Sequence, residues 1–433
     1  MKKVYLYLTA LCLMMLLMAC DRPGISQGNV ETTVNTTTTE LTDVMDITNS
    51  EPESEPPTET TNDTESETSS ETAPGTESEI QTEATSDVET ETQLEATSET
   101  ETEAETETET ETEAETQLWN PIIVDEFVAL GDVGFELVNH NPSVIDRYAA
   151  AICALAVDLD GLATVYELTA PASCCFGITG DQNVLLGASD PVAAMEYTHE
   201  AMRAENDRLV AAGQLQNPLV IMDICDLMSE KYAAGEYIYF RTDHHWTGLG
   251  AYYASRHFLD LVGKNYLPLS DYSEVALTGF LGSLHRHTQS EEMAANPDTV
   301  YAYASPTVQY MTVCNKNGQV QQIEMIRDSV SSTNKYVAFC GGDYPYSEIH
   351  NETITDGSAV LVIKDSYGNS FMPMLADSYE YVYGIDYRSW EGDLSAFVEE
   401  HNIDSVVIIN YQVCISLSSY VRSWEKLVAQ QAE

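Results

Sequence analysis

Hydrophobic and polar positions divide this chain into stretches of different period. An apolar run from Val4 to Met18 gives way to residues 21–118, which are built of Thr, Glu and Ser and reach near-strict Glu-Thr alternation between Glu99 and Thr116. Period two is the pattern of a strand, but Glu on one face and Thr on the other leave nothing to bury, so the tract is expected to stay disordered. From about Trp119 the pattern becomes globular. Behind Asn141-Pro142, an N-cap followed by proline at the first helical position, Val144, Ile145, Tyr148, Ala149, Ile152 and Ala156 recur at helical spacing. The spacing then predicts a strand at Ala163–Leu168, a helix over Asp190–Ala212, strands at Leu219–Ile224 and Tyr237–Phe240, and a helix over Gly248–Val262.

The stretch from Leu267 to Ile349 breaks this rhythm. It is rich in Ser, Thr and Tyr, with strand patterns at Val308–Val313, Gln322–Ile326 and Tyr336–Phe339, and reads as a β-rich insertion or a long excursion from the sheet. Alternation resumes with strands at Ala359–Lys364, Tyr381–Ile385 and Val406–Asn410 and helices at Tyr367–Leu375, Leu394–His401 and Leu417–Leu427. The fold class is therefore α/β, a parallel sheet flanked by helices, with 267–349 inserted and the acidic tract in front. The domain plan is 1–20, 21–118 and 119–433.

Charge narrows the function. The 71 acidic residues outweigh 18 Lys and Arg, for a formal net charge of -53, and Arg22 is the only base between 21 and 118. Phosphate backbones are bound by clustered cations, and no such cluster follows Lys2-Lys3, so a nucleic-acid partner is excluded. Lys2-Lys3, the apolar run and Leu17-Met18-Ala19-Cys20 follow the order of a secretory signal, and the run is short for a membrane span. Leu-x-Ala-Cys at that place resembles the bacterial lipobox, which implies that Cys20 is lipidated and anchors the protein outside the cytoplasmic membrane. Self-repelling charge extends the tract that follows, a stalk that holds the folded part off the membrane; an acidic tail for cations or a basic partner is the other use. Setting aside Cys12 and Cys20, seven of the nine cysteines remain, with no CxxC pair, and their apolar surroundings suit buried thiols.

In open parallel sheets functional side chains gather at the carboxyl ends of strands. Arg241-Thr242-Asp243-His244-His245-Trp246-Thr247 follows one predicted strand. A carboxylate two residues before an imidazole in a turn can orient it and stabilise its protonated form. A metal site there would also need His285 or His287, because adjacent imidazoles tend to point apart. Lys364-Asp365-Ser366-Tyr367-Gly368 follows another strand, and a serine at a sharp strand-to-helix turn is displayed near free amides where an oxyanion would form. An N-cap serine would sit at the same place. Asn410 closes a third strand as a candidate oxyanion donor or a simple cap. Arg388, in Ile385-Asp386-Tyr387-Arg388, is placed to hold a substrate oxygen or to pair with Asp386.

The blocks Thr242–Thr247, Gly341-Gly342-Asp343-Tyr344-Pro345, Val362–Asn369 and Ile385–Arg388, in this order across about residues 123–425, resemble the DHHW protein family of bacterial envelope lipoproteins. That family is similar to the SGNH-hydrolase-like domains of alginate O-acetyltransferases. The resemblance implies an SGNH-like sheet and an acyl-transfer site with Ser366 as nucleophile, His245 as general base and Asp243 as its orienting carboxylate. His244 fills the variable position and is expected to point elsewhere, and Lys364 stands where glycine is usual. Amides near Tyr367, with Asn410, are the oxyanion candidates, and no cofactor or metal is implied. The implied partners are a cell-envelope polysaccharide, whose hydroxyls would be O-acetylated or deacetylated, and a membrane protein that donates the acyl group. The rival reading is a glycan-binding surface module of the same fold, without catalysis.

Overall fold

A computed structural model describes residues 120–431; the signal sequence, Cys20 and the acidic stalk lie outside the described residues. Its centre is an eight-stranded sheet of order β5-β4-β13-β11-β12-β10-β8-β9. The five strands from β5 (Val220–Ile221) through β4 (Thr164–Ala170), β13 (Ser405–Tyr411) and β11 (Ala359–Lys364) to β12 (Tyr381–Asp386) are mutually parallel. β11, at the middle, is buried along its whole length, which is why it reads as the continuous apolar run Ala-Val-Leu-Val-Ile.

Side chains of β11 alternate between two cores. Ala359, Leu361 and Ile363 pack with helices α1 (Pro142–Asp158), α2 (Pro191–Ala211) and, at the chain's end, α8 (Ser418–Gln430), through Leu155, Met202, Val421 and Trp424. Val360 and Val362 face the other way, toward Ala251, Ala254 and Phe258 of helix α4 (Gly248–Leu261). Between these lies α3 (Cys225–Ala233); α5 (Ser283–Thr288), α6 (Gly368–Phe371) and α7 (Leu394–Glu400) follow α4 in the chain. A three-stranded antiparallel meander, β1 (Ile122–Val124), β2 (Phe127–Leu130) and β3 (Val133–Glu136), opens the described region.

The segment 267–349 is β-rich and divides its strands between two places. β6 (Ser273–Phe280) and β7 (Asp298–Ala304) pair with each other, whereas β8 (Tyr310–Cys314), β9 (Val320–Glu324) and β10 (Tyr346–His350) extend the main sheet antiparallel beyond β12.

Three strand expectations change. Tyr336–Phe339 is a 3-10 turn over Lys335–Ala338, because Tyr336 and Phe339 turn into an aromatic cluster with Phe240 and Phe280. Leu219–Ile224 pairs only at Val220–Ile221, after which the Met222 amide still bonds to the Glu167 carbonyl at 2.8 Å before the chain leaves the sheet. Tyr237–Phe240 forms a single bridge, Tyr239 to Trp246, so the loop that follows doubles back on itself.

Candidate active site

β11 ends at Lys364, and the chain turns through Asp365-Ser366-Tyr367 into α6. Asp365 builds the turn: one carboxylate oxygen accepts the Tyr367 amide at 2.9 Å and the other accepts the Tyr411 amide at 2.7 Å, tying the serine to the end of β13. Burial pushes the Asp365 carboxyl upward. Gly368 is required because a Cβ there would collide with the Lys364 side chain, so the lysine that replaces the usual glycine is accommodated by the glycine that opens the next helix.

The second loop is fixed from below. Thr242 gives both its amide (2.7 Å) and its hydroxyl (2.6 Å) to the buried Asp298, which leaves Asp243 facing inward. Asp243 accepts the amides of His245 at 3.1 Å and Ser283 at 2.9 Å, and Gly282 lies so close that a Cβ would strike its carboxylate. The His245 Nδ1 lies 2.6 Å from the same Asp243 oxygen that receives its amide, and its Nε2 lies 2.7 Å from Ser366 Oγ. With a carboxylate on Nδ1, the proton sits there and the Nε2 lone pair faces the serine hydroxyl. Burial alone would raise the Asp243 pKa, but the His245 and His244 imidazoles and the hydrogen bonds hold it well below the usual carboxylate range. The His245 ring lies flat against Tyr336, with centroids 3.9 Å apart and planes 14° apart. The Tyr336 hydroxyl donates to the Ser366 carbonyl at 3.1 Å, so one phenol fixes both partners of the relay.

Several expected roles are corrected. Asn410 lies on the opposite face of β13 from Tyr411: its amide donates to Tyr148 at 2.7 Å, its carbonyl accepts from Trp424 at 3.1 Å, and it does not serve the serine. Of the two roles open to Arg388, the structure takes the pairing with Asp386 (2.6 Å), and the guanidinium also reaches Asp343 (2.7 Å) instead of an open subsite. The Tyr367 amide is taken by Asp365, and its phenol donates to the His244 carbonyl, so Tyr367 shapes the turn instead of offering a free donor. The Ser366 amide takes no acceptor among the described residues and is the donor left for an oxyanion. His244 does not turn away. Its ring stands 4.0 Å from that of His245, held by the Ser283 hydroxyl at 2.6 Å from its Nδ1, and burial followed by the neighbouring His245 charge pushes its pKa down to about 3, which keeps it neutral.

Ligating atoms of Asp243, His244 and His245 lie within 4.8 Å of one another. A metal bound there would displace the hydrogen bonds between Asp243 and His245, between His245 and Ser366 and between His244 and Ser283. His287 is stacked on Phe127 at 3.9 Å, and neither His285 nor His287 belongs to that group.

The Gly341–Pro345 block has a structural place. Cys340, Gly341 and Gly342 run through left-handed φ values of 55°, 72° and 107°, a path that glycine permits at least cost. Asp343 then reaches the buried Lys364 at 3.4 Å, Arg388 at 2.7 Å and the Asn369 amide at 2.8 Å. The two cations more than offset burial and keep Asp343 ionised well below the ordinary range. Tyr336, Ser283 and Gly282 carry no motif that sequence reasoning found. Nothing local marks Gly282 and Ser283, because the pairing of 282–283 with 243 is a tertiary contact.

An α/β sheet that presents an Asp-His-Ser hydrogen-bond relay at a strand end defines the class. The DHHW protein family model matches residues 99–385, well over half of the chain, and the chain belongs to that family. The match begins inside the Glu-Thr tract and ends within β12, whereas the sequence blocks had suggested about 123–425. A DHHW family protein from Eubacterium siraeum is 22% identical with a TM-score of 0.60, covering 71% of this chain and 97% of that one. PatB1 from Bacillus cereus is 18% identical with a TM-score of 0.52 over 70% of this chain and 98% of its own; it is also known with a sulfonyl adduct, at 17% identity and a TM-score of 0.51, over 68% and 96%. The O-acetyltransferase domain of Pseudomonas putida AlgJ matches at 14% identity and a TM-score of 0.36 over 71% of this chain and 99% of that one. No curated protein matches the sequence.

Proposed function

We propose that this protein is an SGNH-type acyltransferase or esterase that moves acetyl groups on and off the hydroxyls of a cell-envelope polysaccharide. The observation that carries the reading is the continuous relay from Asp243 through His245 to Ser366, at 2.6 and 2.7 Å. Ser366 Oγ attacks the acetyl carbonyl while its proton passes to His245 Nε2, and Asp243 stabilises the imidazolium. The Ser366 amide receives the oxyanion. Collapse returns the proton to the departing alkoxide and leaves acetyl-Ser366. A sugar hydroxyl, or water, then repeats the sequence, with His245 taking its proton. The full-length protein is expected to release p-nitrophenol from p-nitrophenyl acetate well above the buffer rate; release no faster than buffer contradicts the reading.

The same proposal places the protein outside the cytoplasmic membrane, anchored through lipid on Cys20, with residues 21–118 as the stalk and a membrane protein as the acyl donor. The support is the order of charge, apolar run and Leu17–Cys20. Among the described residues no helix is long and apolar enough to cross a membrane. Replacing Cys20 with Ser is expected to move the protein from the membrane fraction to the soluble fraction, and undiminished membrane retention contradicts the anchor.

A further inference from the structure

His244 lies between Asp243 and His245 in the chain and takes no part in the relay, yet its ring is held against that of His245. The centroids are 4.0 Å apart with the planes at 33°, and the Ser283 hydroxyl lies 2.6 Å from His244 Nδ1 and accepts the His244 amide at 3.3 Å. Tyr336 stacks on the His245 ring at 3.9 Å and 14°. Two rings this close and this nearly parallel to a third would overlap if they shared one of its faces, so they cover both, and His245 lies between a phenol and an imidazole. Each cover is anchored to the loops of the site. The Tyr336 hydroxyl lies 3.0 Å from the Ser370 hydroxyl, which accepts the Trp246 indole N–H at 2.8 Å, so the residue after His245 and the helix after Ser366 grip one phenol. Ser283, which holds His244, also gives its amide to Asp243 at 2.9 Å.

We propose that Tyr336 and His244 form an aromatic sandwich that positions His245 and stabilises its ring in the protonated state through which acyl transfer passes. Both are positioning residues, acting through His245. The proposal rests on the acyl-transfer reading and adds how the site carries the charge which that reading creates. An aromatic ring presents negative potential on its faces, and this attracts a cation lying flat against it. Asp243 meets the imidazolium at its edge, through Nδ1, and the two rings meet it on its faces. The arrangement requires an uncharged His244, and burial beside His245 keeps it so. The other groups around the His245 ring are Ser366 Oγ on Nε2 and the buried Tyr367, 5.1 Å away at 42°. Asp343 and Asp365 act from beyond Tyr336, and Arg286 and His287 of α5 from beyond His244. These surroundings stay the same when one ring is exchanged, so a change in His245 reports the ring.

The test titrates His245 by NMR in the full chain labelled at histidine, its signal identified by loss in His245→Gln, and follows kcat/KM for p-nitrophenyl acetate against pH in parallel. Tyr336→Leu and His244→Leu each remove one ring and keep the site apolar. An imidazolium without its ring is less stable and gives up its proton at lower pH. The His245 midpoint, and with it the acid limb of kcat/KM, is therefore expected about half a unit lower in each leucine variant, the shift that one lost cation–π contact implies. Tyr336→Phe keeps a ring and should keep the wild-type midpoint. A side chain that merely filled space would lower activity without this dependence on an aromatic ring. Midpoints unmoved in the leucine variants, a midpoint as low in Tyr336→Phe as in Tyr336→Leu, or a kinetic limb that ignores the midpoint would overturn the sandwich. If Tyr336→Leu does not fold, His244→Leu, at a half-buried position, decides alone. The two readings fail separately. Lowered midpoints in a protein that releases no p-nitrophenol keep the sandwich and remove acyl transfer, and Ser366-dependent release with unmoved midpoints does the reverse.

Discussion

Replacing Ser366 with Ala is expected to lower p-nitrophenyl acetate turnover by about a thousandfold or more, to a residue supplied by the oxyanion donor and binding alone. The loss follows from chemistry, not from folding. Ser366 is partly exposed and its side chain makes one hydrogen bond, to His245, so its removal should cost no more than about 0.5–1.5 kcal/mol of stability. The turn itself is held by Asp365 through the Tyr367 and Tyr411 amides, and neither bond involves the serine hydroxyl. A thermal melt close to that of the wild type beside lost turnover is the expected pair of results. Equal turnover in the two proteins would remove Ser366 from the mechanism.

Asp243→Asn should be nearly as severe, by about 10³–10⁴ in kcat. The two carboxylate oxygens of Asp243 accept three N–H groups: the His245 ring and amide on one oxygen, and the Ser283 amide on the other. A carboxamide has only one accepting oxygen. Turned toward His245, it sets its NH₂ against the Ser283 amide; turned toward Ser283, it donates to His245 Nδ1 and drives the ring proton to Nε2, where it blocks acceptance from the serine. Either orientation leaves a buried donor unpaired, at about 1–3 kcal/mol. The folded Asp243 pKa is depressed, so its stabilisation is present above the ordinary carboxylate value and is lost as pH falls toward the folded one. The stability gap between wild type and Asp243→Asn should therefore close only in strong acid, which denaturant titrations at stepped pH would measure. A pH-independent gap would show that Asp243 works by shape alone.

The parts of this molecule that could be read in the sequence are those governed by local rules. Ala359–Lys364 is a strand over the residues its apolar run predicts, and Pro142 opens a helix because its missing N–H costs nothing there. Ser366 was legible because it follows the end of β11, and Asp243 and His245 because they follow an apolar run, although that run forms only a single bridge, and all three because the blocks occur in a family's order. What escaped was decided by contacts across the chain. Tyr336 looked like strand, having an aromatic side chain in an apolar run, and it became a turn residue stacked on His245. Asn410 and Arg388 have the right chemistry for an oxyanion or a substrate oxygen. The two-residue alternation of β13 sends Asn410 to Tyr148 and Trp424, and the Gly341–Asp343 loop, distant in sequence, captures Arg388. Lys364 was a departure from the family pattern without a visible partner, and its partner Asp343 lay unused in a block already noted.

Covalent labelling tests the central claim most directly, because it reads the nucleophile itself and needs no knowledge of the natural substrate. The full-length protein would be treated with a small sulfonyl fluoride, and the adduct counted by intact mass and mapped by peptide sequencing. One sulfonyl group per chain on Ser366, absent from Ser366→Ala and strongly slowed in Asp243→Asn, is the predicted result. A protein that stays unlabelled, or that is labelled as readily in Ser366→Ala, would contradict the account.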